Sequence, residues 1–146
     1  MIQIREMESR DVQLLADIWL KTSLIAHNFI PKDYWINSKS LMIEKYLPNS
    51  EVYVAEKEND IFGFIALSEN YIASIFVDIE QQGKGIGSLL LNYAKNLRNE
   101  LTLNVYQKNE KSVNFYKSKN FIILSESTDQ PTLEKEYIMQ WNKSKK

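Results

Sequence analysis

The sequence predicts an α/β fold built on a mixed sheet of about seven strands, with about four helices. A β-like segment over residues 72–77, a glycine-rich loop and an amphipathic helix follow one another directly, and another alternating segment follows at 101–106. A strand, a helix and a strand in that order form a right-handed parallel crossover. The remaining strands include a hairpin joined by a short turn. We therefore predict a mostly antiparallel sheet with one central parallel pair.

The first part of the chain is predicted to form one strand and two helices. Residues 1–7 alternate apolar and polar side chains, as a half-buried strand does. Ser9 is placed to cap the first helix and Pro31 to begin the second. The predicted inward faces are Leu14, Leu15, Ile18, Trp19, Thr22 and Ile25 in the first helix, and Trp35, Ser38, Leu41, Met42 and Tyr46 in the second.

The middle of the chain is predicted to form a hairpin followed by the crossover unit. The hairpin strands are 51–58 and 61–67, with Asn59-Asp60 as the loop. Gly63 inside the second strand indicates a bulge or the close approach of another backbone. The crossover strand spans 71–77. The helix after the glycine-rich loop has a predicted inward face of Ile86, Leu89, Leu90, Tyr93, Ala94 and Leu97.

The C-terminal part is predicted to form a short helix and two strands. The helix covers 110–119, a strand begins at 121–124, residues 126–132 form a polar loop, and the last strand covers 133–141. A chain of 146 residues without repeats or a linker predicts a single domain over 1–146.

The composition and the apolar pattern argue against nucleic acid and a membrane as partners. The net charge of −1 provides no basic surface for nucleic acid. No apolar run approaches the ~20 residues of a membrane-spanning helix, and the N-terminus lacks the features of a signal peptide. We expect a cytoplasmic protein without a membrane partner. The basic tail at 143–146 is expected to be a solvated end.

The chain contains no cysteine and a single histidine, His27. Disulfides, thiolate metal sites, a cysteinyl acyl-enzyme and a multi-histidine zinc site are therefore excluded. We expect no metal. Any chemistry must come from carboxylates, hydroxyls, lysines, backbone groups or a bound cofactor.

Three of the four glycines lie at 83, 85 and 87, between the crossover strand and its helix. Backbone N–H groups at such a junction, together with the positive end of the helix dipole, form an anion site, most often for phosphate. A Walker A loop is excluded because Gly85, not serine or threonine, follows Lys84. A dinucleotide loop, and with it a nicotinamide-dinucleotide binder, is disfavoured because Ser88 takes the place of the third glycine.

Gln82, Gly85 and Gly87 fit the remaining pattern, Q/R-x-x-G-x-G/A. A second motif comprises Asn109, Ser112, Phe115, Tyr116 and Phe121, with Asn120 in the place of a glycine. On these two motifs and the order of its elements, the chain resembles the GNAT superfamily of N-acetyltransferases over nearly its whole length. Segments 28–35, 105–109 and 138–141 further resemble one bacterial branch of that superfamily. The resemblance implies that the central parallel strands splay apart and hold acetyl-CoA in the gap.

The resemblance also implies which residues bind acetyl-CoA. The edge of the crossover strand would bind the pantetheine arm. The glycine-rich loop and the start of its helix would bind the pyrophosphate. The start of the short helix would bind the region near the thioester. In this order the residues are Ile75, Phe76 and Val77; Gln82, Gly83, Lys84, Gly85, Ile86, Gly87 and Ser88; and Asn109, Ser112 and Tyr116.

The implied reaction is direct attack of an amine on the acetyl carbonyl. Tyr116 is the candidate acid for the leaving thiolate. The backbone N–H of Val77 or Phe76 is the candidate donor to the oxyanion. For the base, Glu69, Glu80 and a chain of water molecules remain alternatives, with Glu69 preferred.

The acceptor amine is expected to bind near the first two helices, at His27, Phe29, Trp35 and Tyr71. These aromatic side chains suit a lysine side chain or a peptide N-terminus, and His27 is either a proton acceptor near neutral pH or a structural hydrogen-bonding group. Three functions stay open: a protein lysine acetyltransferase, a small-molecule amine acetyltransferase and a non-catalytic acyl-CoA sensor. Exposed strand edges are compatible with a homodimer.

Overall fold

The computed structural model describes residues 1–144, so Lys145 and Lys146 of the basic tail lie outside the described residues. Seven strands form one sheet in the order β1-β2-β3-β4-β5-β7-β6. Every neighbouring pair is antiparallel except β4 and β5. The predicted mixed sheet with one central parallel pair is confirmed. The strands are β1 (Gln3–Glu6), β2 (Glu51–Lys57), β3 (Asp60–Ser68), β4 (Tyr71–Val77), β5 (Glu100–Tyr106), β6 (Ile122–Thr128) and β7 (Lys135–Asn142).

Within residues 1–144, four α-helices cover the two faces of this sheet. Alternate side chains of β2 and β3 point to opposite faces, so each face has its own buried cluster. One cluster packs under the first two helices and the other under the last two. A wider π-type turn over Met42–Tyr46 continues the second helix. The helices are α1 (Val12–Ala26), α2 (Lys32–Leu41), α3 (Ile86–Leu97) and α4 (Glu110–Ser118).

The start and the buried face of α1 differ from the prediction. Ser9 does not cap α1: it lies in a 3-10 turn over Ser9–Asp11 that precedes the helix, and Asp11 is the N-cap of α1. Glu8 caps that turn, and its N–H donates to the carboxylate of Asp11 at 2.8 Å. Leu14 is 45% and Ile25 61% exposed. The helix carries apolar side chains around more than one face, and the sheet covers only the stripe centred on Leu15 and Trp19.

The same effect changes the other two long helices. In α3 the structure buries Leu91 completely, whereas Leu89 and Leu97 are 43% and 42% exposed. In the second helix and its π-type turn, Trp35 and Met42 are buried as predicted. Leu41 at the end of α2 and Tyr46 are instead exposed. Tyr46 lies in the π-type turn, whose wider pitch departs from the α-helical spacing on which the prediction was based.

Two turns are shifted relative to the prediction. The hairpin between β2 and β3 turns at Glu58 and Asn59, which both have positive φ angles, rather than at Asn59-Asp60. Strand β6 continues to Thr128, because the polar residues predicted as a loop pair with β7 at an exposed edge. Gly63 marks a close approach, as predicted, because a Cβ there would lie 2.6 Å from the carbonyl oxygen of Phe76.

The central parallel pair is short. Only Tyr71 opposite Thr102 and Ile72 opposite Leu103 are in register, and the two strands separate beyond them. The predicted splay is therefore present between the later parts of β4 and β5. Among the helices of residues 1–144, none combines the length and the apolar character needed to cross a bilayer.

Candidate active site

A cavity of about 660 Å³ lies where β4 and β5 separate. Its walls come from the diverging strands, the glycine-rich loop with the start of α3, the start of α4, and the inner face of α1 and α2. The cavity thus reaches both faces of the sheet through the gap. Of the predicted site residues, those that line it are His27, Trp35, Tyr71, Ile75, Phe76, Val77, Gln82, Gly83, Gly85, Ile86, Gly87, Ser88, Asn109, Ser112 and Tyr116.

The edge of β4 presents backbone groups to this gap. The N–H of Asp78 donates to the Phe62 carbonyl on β3 at 2.8 Å. Because successive N–H groups of a strand point to opposite edges, the N–H of Phe76 also points to β3 and that of Val77 points into the gap. The Val77 carbonyl lies on the same side and accepts from the Gln82 side chain at 3.1 Å. Of the two candidate oxyanion donors, the strand geometry favours Val77.

The glycine-rich loop needs glycine for its backbone conformation at two positions. Gly83 and Gly85 have φ angles of +79° and +83°, which other residues rarely adopt, and Gly85 caps α3. Gly87 lies inside α3 without a positive φ angle, and a Cβ there would be in van der Waals contact, at 3.4 Å, with the ring of Phe115. The loop ends at the N-terminus of a helix of 12 residues, whose unpaired N–H groups and dipole favour an anion.

Two lysines lie near the loop, and only one of them lines the cavity. The predicted Lys84 is exposed and does not line the cavity, although its Nζ donates at 3.1 Å to the side-chain oxygen of Gln81, which does. Lys111 on α4 does line the cavity, and its Nζ lies 3.4 Å from the side-chain oxygen of Gln82. Sequence reasoning missed Lys111, although it lies two positions after Asn109 in the second motif.

Asn109 joins the start of α4 to the end of α1. Its side-chain oxygen caps the helix by accepting from the N–H of Ser112 at 3.3 Å. Its amide nitrogen lies 3.2 Å from Nε2 of His27 and is therefore the donor in that contact. Both ends of the side chain are engaged within the protein, so Asn109 fixes the position of the two helix ends beside the gap.

His27 is a neutral group in this environment. Burial among aromatic rings lowers its pKa to about 4, so it does not take up a proton near neutral pH. Rings of Phe29, Trp35 and Tyr106 lie 6.0, 5.2 and 5.1 Å from it. The structural interpretation of His27 thus fits better than that of a proton acceptor. Phe29 lies behind His27 and does not line the cavity.

Tyr116 on α4 lies on the other face of the sheet. It is 8% exposed and lines the cavity, with the rings of Phe115 and Phe121 at 5.4 and 5.6 Å. Burial raises its pKa above the ordinary value for tyrosine. The phenol therefore stays protonated at neutral pH, and its proton transfer to a thiolate is more strongly uphill than for a solvated tyrosine.

The structure does not bring the predicted base to the cavity. Glu69 occupies the exposed turn before β4 with a φ angle of +54°, where its carbonyl accepts from Arg98. Glu80 likewise is exposed and outside the lining. A carboxylate that the sequence analysis missed, Glu136 on β7, does line the cavity. Its position opposite Tyr106 depends on strand pairing that the sequence alone did not reveal.

The two ends of the cavity differ in charge. The end at the glycine-rich loop has Lys111 and the start of α3. The other end has Glu136, with Asn104, Tyr71 and Tyr106 around it. The first arrangement suits an anion and the second a cation. Across residues 1–144, no group of three or more His, Asp or Glu side chains is placed to bind a metal ion.

Comparisons with known proteins agree with this geometry. The sequence profile of the acetyltransferase (GNAT) domain matches residues 48–123. The chain is 31% identical over 139 residues to the peptidyl-lysine N-acetyltransferase YiaC of Escherichia coli K12, covering 94% of this chain and 95% of that protein. That relative belongs to the branch that segments 28–35, 105–109 and 138–141 resemble, so this resemblance is confirmed.

Solved structures place the fold in the same family. The solution structure of apo YjaB from Escherichia coli superimposes with a TM-score of 0.87 and 28% identity, covering 97% of both chains. The PaiA N-acetyltransferase of Thermoplasma acidophilum, solved in complex with coenzyme A, superimposes with a TM-score of 0.78 over 97% of this chain and 99% of that one. At 18% identity, the second comparison concerns the fold alone.

Proposed function

We propose, from the premise that this chain belongs to the GNAT family and is an acetyl-CoA-dependent N-acetyltransferase, that its acceptor is the side-chain amine of a lysine in a protein or peptide. The proposal treats residues 1–146 as one acetyltransferase domain. The observation that carries it is that one continuous cavity has an anion-binding end at the glycine-rich loop and a carboxylate at the other end. The names of YiaC and of YjaB, a second relative at 32% identity, as peptidyl-lysine N-acetyltransferases support the choice of lysine.

The residues of the cavity fit acetyl-CoA. The start of α3, Ser88 and Lys111 would bind the pyrophosphate. The edge of β4 at Ile75 and Val77 would hydrogen-bond the pantetheine arm, because its backbone groups lack a strand partner there. The acetyl group would then lie in the gap between Tyr116 on one face and the α1–α2 wall on the other.

The chemistry in this arrangement is direct transfer. The amine nitrogen attacks the thioester carbonyl, a C–N bond forms, and the C–S bond breaks. The Val77 N–H stabilises the oxyanion, and Tyr116 supplies a proton to the departing thiolate. The raised pKa of Tyr116 requires that the thiolate be held close to the phenol, so that transfer occurs as the C–S bond breaks.

The α1–α2 wall suits a long aliphatic amine. Trp35 and Tyr106 line this side and His27 is neutral there, so the wall is apolar and aromatic without a positive charge to repel an ammonium group. The stem of a lysine side chain can lie against such rings while its charged end reaches the carboxylate.

The test is acetyl transfer to peptides that differ only in the available amine. One peptide has a blocked N-terminus and one lysine, and a second has a free N-terminus and arginine in place of that lysine. We expect transfer to the first peptide. Transfer to the second alone would assign the activity to N-termini, and transfer only to spermidine or another small amine would assign it to small molecules. Binding of acetyl-CoA without transfer to any amine would favour the sensor alternative.

A further inference from the structure

Glu136 is the one acidic side chain among the residues that line the cavity within the described part of the chain. The predicted bases, Glu69 and Glu80, lie outside that lining. An amine that attacks a thioester must lose a proton as the C–N bond forms. A group that can accept this proton has to be within hydrogen-bond reach of the nitrogen, directly or through one water molecule.

The strand register places Glu136 on the acceptor side of the gap. On β7 it lies directly opposite Tyr106 of β5, so the two side chains share one face of the sheet. Tyr106 packs against His27 at 5.1 Å and Trp35 at 6.5 Å, which identifies this face as the one under α1 and α2. Tyr116 belongs to the cluster on the opposite face. The acid and the carboxylate therefore lie on either side of the gap.

The surroundings of Glu136 are suited to a carboxylate that exchanges protons. Asn104 donates to its Oε1 at 3.2 Å. Partial burial raises the pKa of Glu136 above its ordinary value, the Asn104 hydrogen bond lowers it, and the charge of Asp129 raises it further. The charge of Glu136 in turn contributes to the raised pKa values of Tyr34 and Tyr71. Among the contacts of residues 1–144, no basic side chain pairs with the Glu136 carboxylate at this end of the cavity. The carboxylate is therefore available to pair with an incoming ammonium group.

We propose that Glu136 binds the acceptor amine and is the catalytic base that takes its proton during acetyl transfer. The inference rests on the proposed function, since it assigns a role in that reaction at that same site. It requires no residue beyond the lining of the cavity.

The proton and electron pairs balance in this step. The acceptor arrives as an ammonium paired with the Glu136 carboxylate and releases one proton to solvent. The neutral nitrogen attacks the acetyl carbonyl, and its remaining extra proton passes to Glu136, directly or through one water molecule. The C–S bond breaks, and the thiolate receives the proton of Tyr116. Solvent then deprotonates Glu136 and reprotonates Tyr116, leaving the acetylated amine and the free thiol.

The first test is Glu136→Gln, which removes the charge and keeps the shape. The matched control is Glu126→Gln, an exposed carboxylate on β6 that contacts Gln107 outside the cavity lining. We expect Glu136→Gln to lower kcat by about 10² or more, the usual contribution of a general base. The control should keep wild-type rates. The shift of the melting temperature by acetyl-CoA should be the same in both variants, which shows that they fold and bind the acetyl donor.

The second test follows the pH profile of kcat/KM. In the wild type, activity should fall as the pH drops through the pKa of Glu136, because the protonated carboxyl cannot accept a proton. Asn104→Ala removes a contact that lowers this pKa, so its acidic limb should move to higher pH. The ionisable groups around Glu136 are Asp129 after β6, Tyr71 on β4, Tyr106 on β5 and Tyr34 on α2. The tyrosines stay protonated over this range because burial raises their pKa values.

The assays use both the lysine peptide and spermidine, so the comparison is made on whichever amine the wild type accepts. Rates of Glu136→Gln within twofold of the wild type, or an acidic limb that Asn104→Ala leaves in place, would overturn the role of Glu136. A wild-type protein that acetylates spermidine but not the lysine peptide would instead count against lysine as the acceptor. The two failures are therefore distinguishable.

Discussion

The two ends of the cavity are built from different kinds of structure. Most of the acetyl-CoA end comes from one stretch of sequence, residues 75–88 of β4, the glycine-rich loop and α3, to which α4 adds Lys111. The acceptor end is formed by residues distant in sequence, among them His27, Trp35, Tyr106 and Glu136. The first end relies on backbone geometry and the second on side chains brought together by the sheet. Substitutions at the two ends should therefore change different kinetic constants.

Tyr116 lies where the two ends meet, and its replacement should have the largest effect. We expect Tyr116→Phe to lower kcat by about 10²–10⁴, because the thiolate then lacks its proton donor. The dissociation constant of acetyl-CoA, measured by titration calorimetry, should change little. A variant with wild-type kcat would show that solvent protonates the thiolate.

His27 should affect stability at the acceptor end rather than catalysis by proton transfer. Its pKa is about 4 in the folded protein and near 6.5 when unfolded, so the unfolded chain binds more protons between these values. The contribution is fully present above pH ~6.5 and is lost as the pH falls towards 4. We expect urea unfolding to show a loss of up to about 3 kcal/mol over this range.

His27→Gln provides the control for that measurement, because glutamine can still accept from Asn109 but does not titrate. The variant should lose less stability than the wild type between pH 6.5 and 4. Parallel pH dependences of the two proteins would mean that other groups cause the change.

Within the acetyl-CoA end, Gly85 and Gly87 should differ. Gly85→Ala places a side chain at a φ angle of +83°, which costs about 1–2 kcal/mol and disturbs the N–H groups at the start of α3. We expect a lower melting temperature and a higher KM for acetyl-CoA. Gly87→Ala adds a Cβ at 3.4 Å from Phe115 in an ordinary helical conformation, so the effect should be smaller. The reverse order would contradict the conformational role of Gly85.

The smallest expected effect is the difference between Lys111 and Lys84. Lys111→Gln should raise the KM for acetyl-CoA about two- to fivefold, as expected for loss of one partly solvated charge contact. Lys84→Gln should change KM less, because Lys84 does not line the cavity. Initial rates at varied acetyl-CoA and low ionic strength give the comparison. A larger effect of Lys84 would place the phosphates on the outer side of the loop.

The difference between the two ends also explains what the sequence could predict. The glycine-rich loop and its helix depend on local patterns, and nearly every loop residue predicted from them lines the cavity. Glu69 was the preferred base because it precedes β4 in the chain, yet its turn is exposed. Glu136 lines the cavity because of the register between β5 and β7, which no local sequence pattern predicts.

The same limit applies to the helices. Periodicity predicted that α1 and α3 are amphipathic, but these helices carry apolar side chains beyond one stripe. Packing against the sheet determines which of these side chains are buried. Leu14 and Leu89 are therefore exposed, whereas Leu91 belongs to the core.

The proposed mechanism requires that acetyl-CoA and the amine meet in one cavity and react directly. Two-substrate initial-rate kinetics test it most directly, with acetyl-CoA and the accepted amine varied together. We predict double-reciprocal lines that intersect, because both substrates must be bound before transfer. Parallel lines, with release of free coenzyme A in the absence of the amine, would indicate an acetylated enzyme intermediate and would contradict direct transfer.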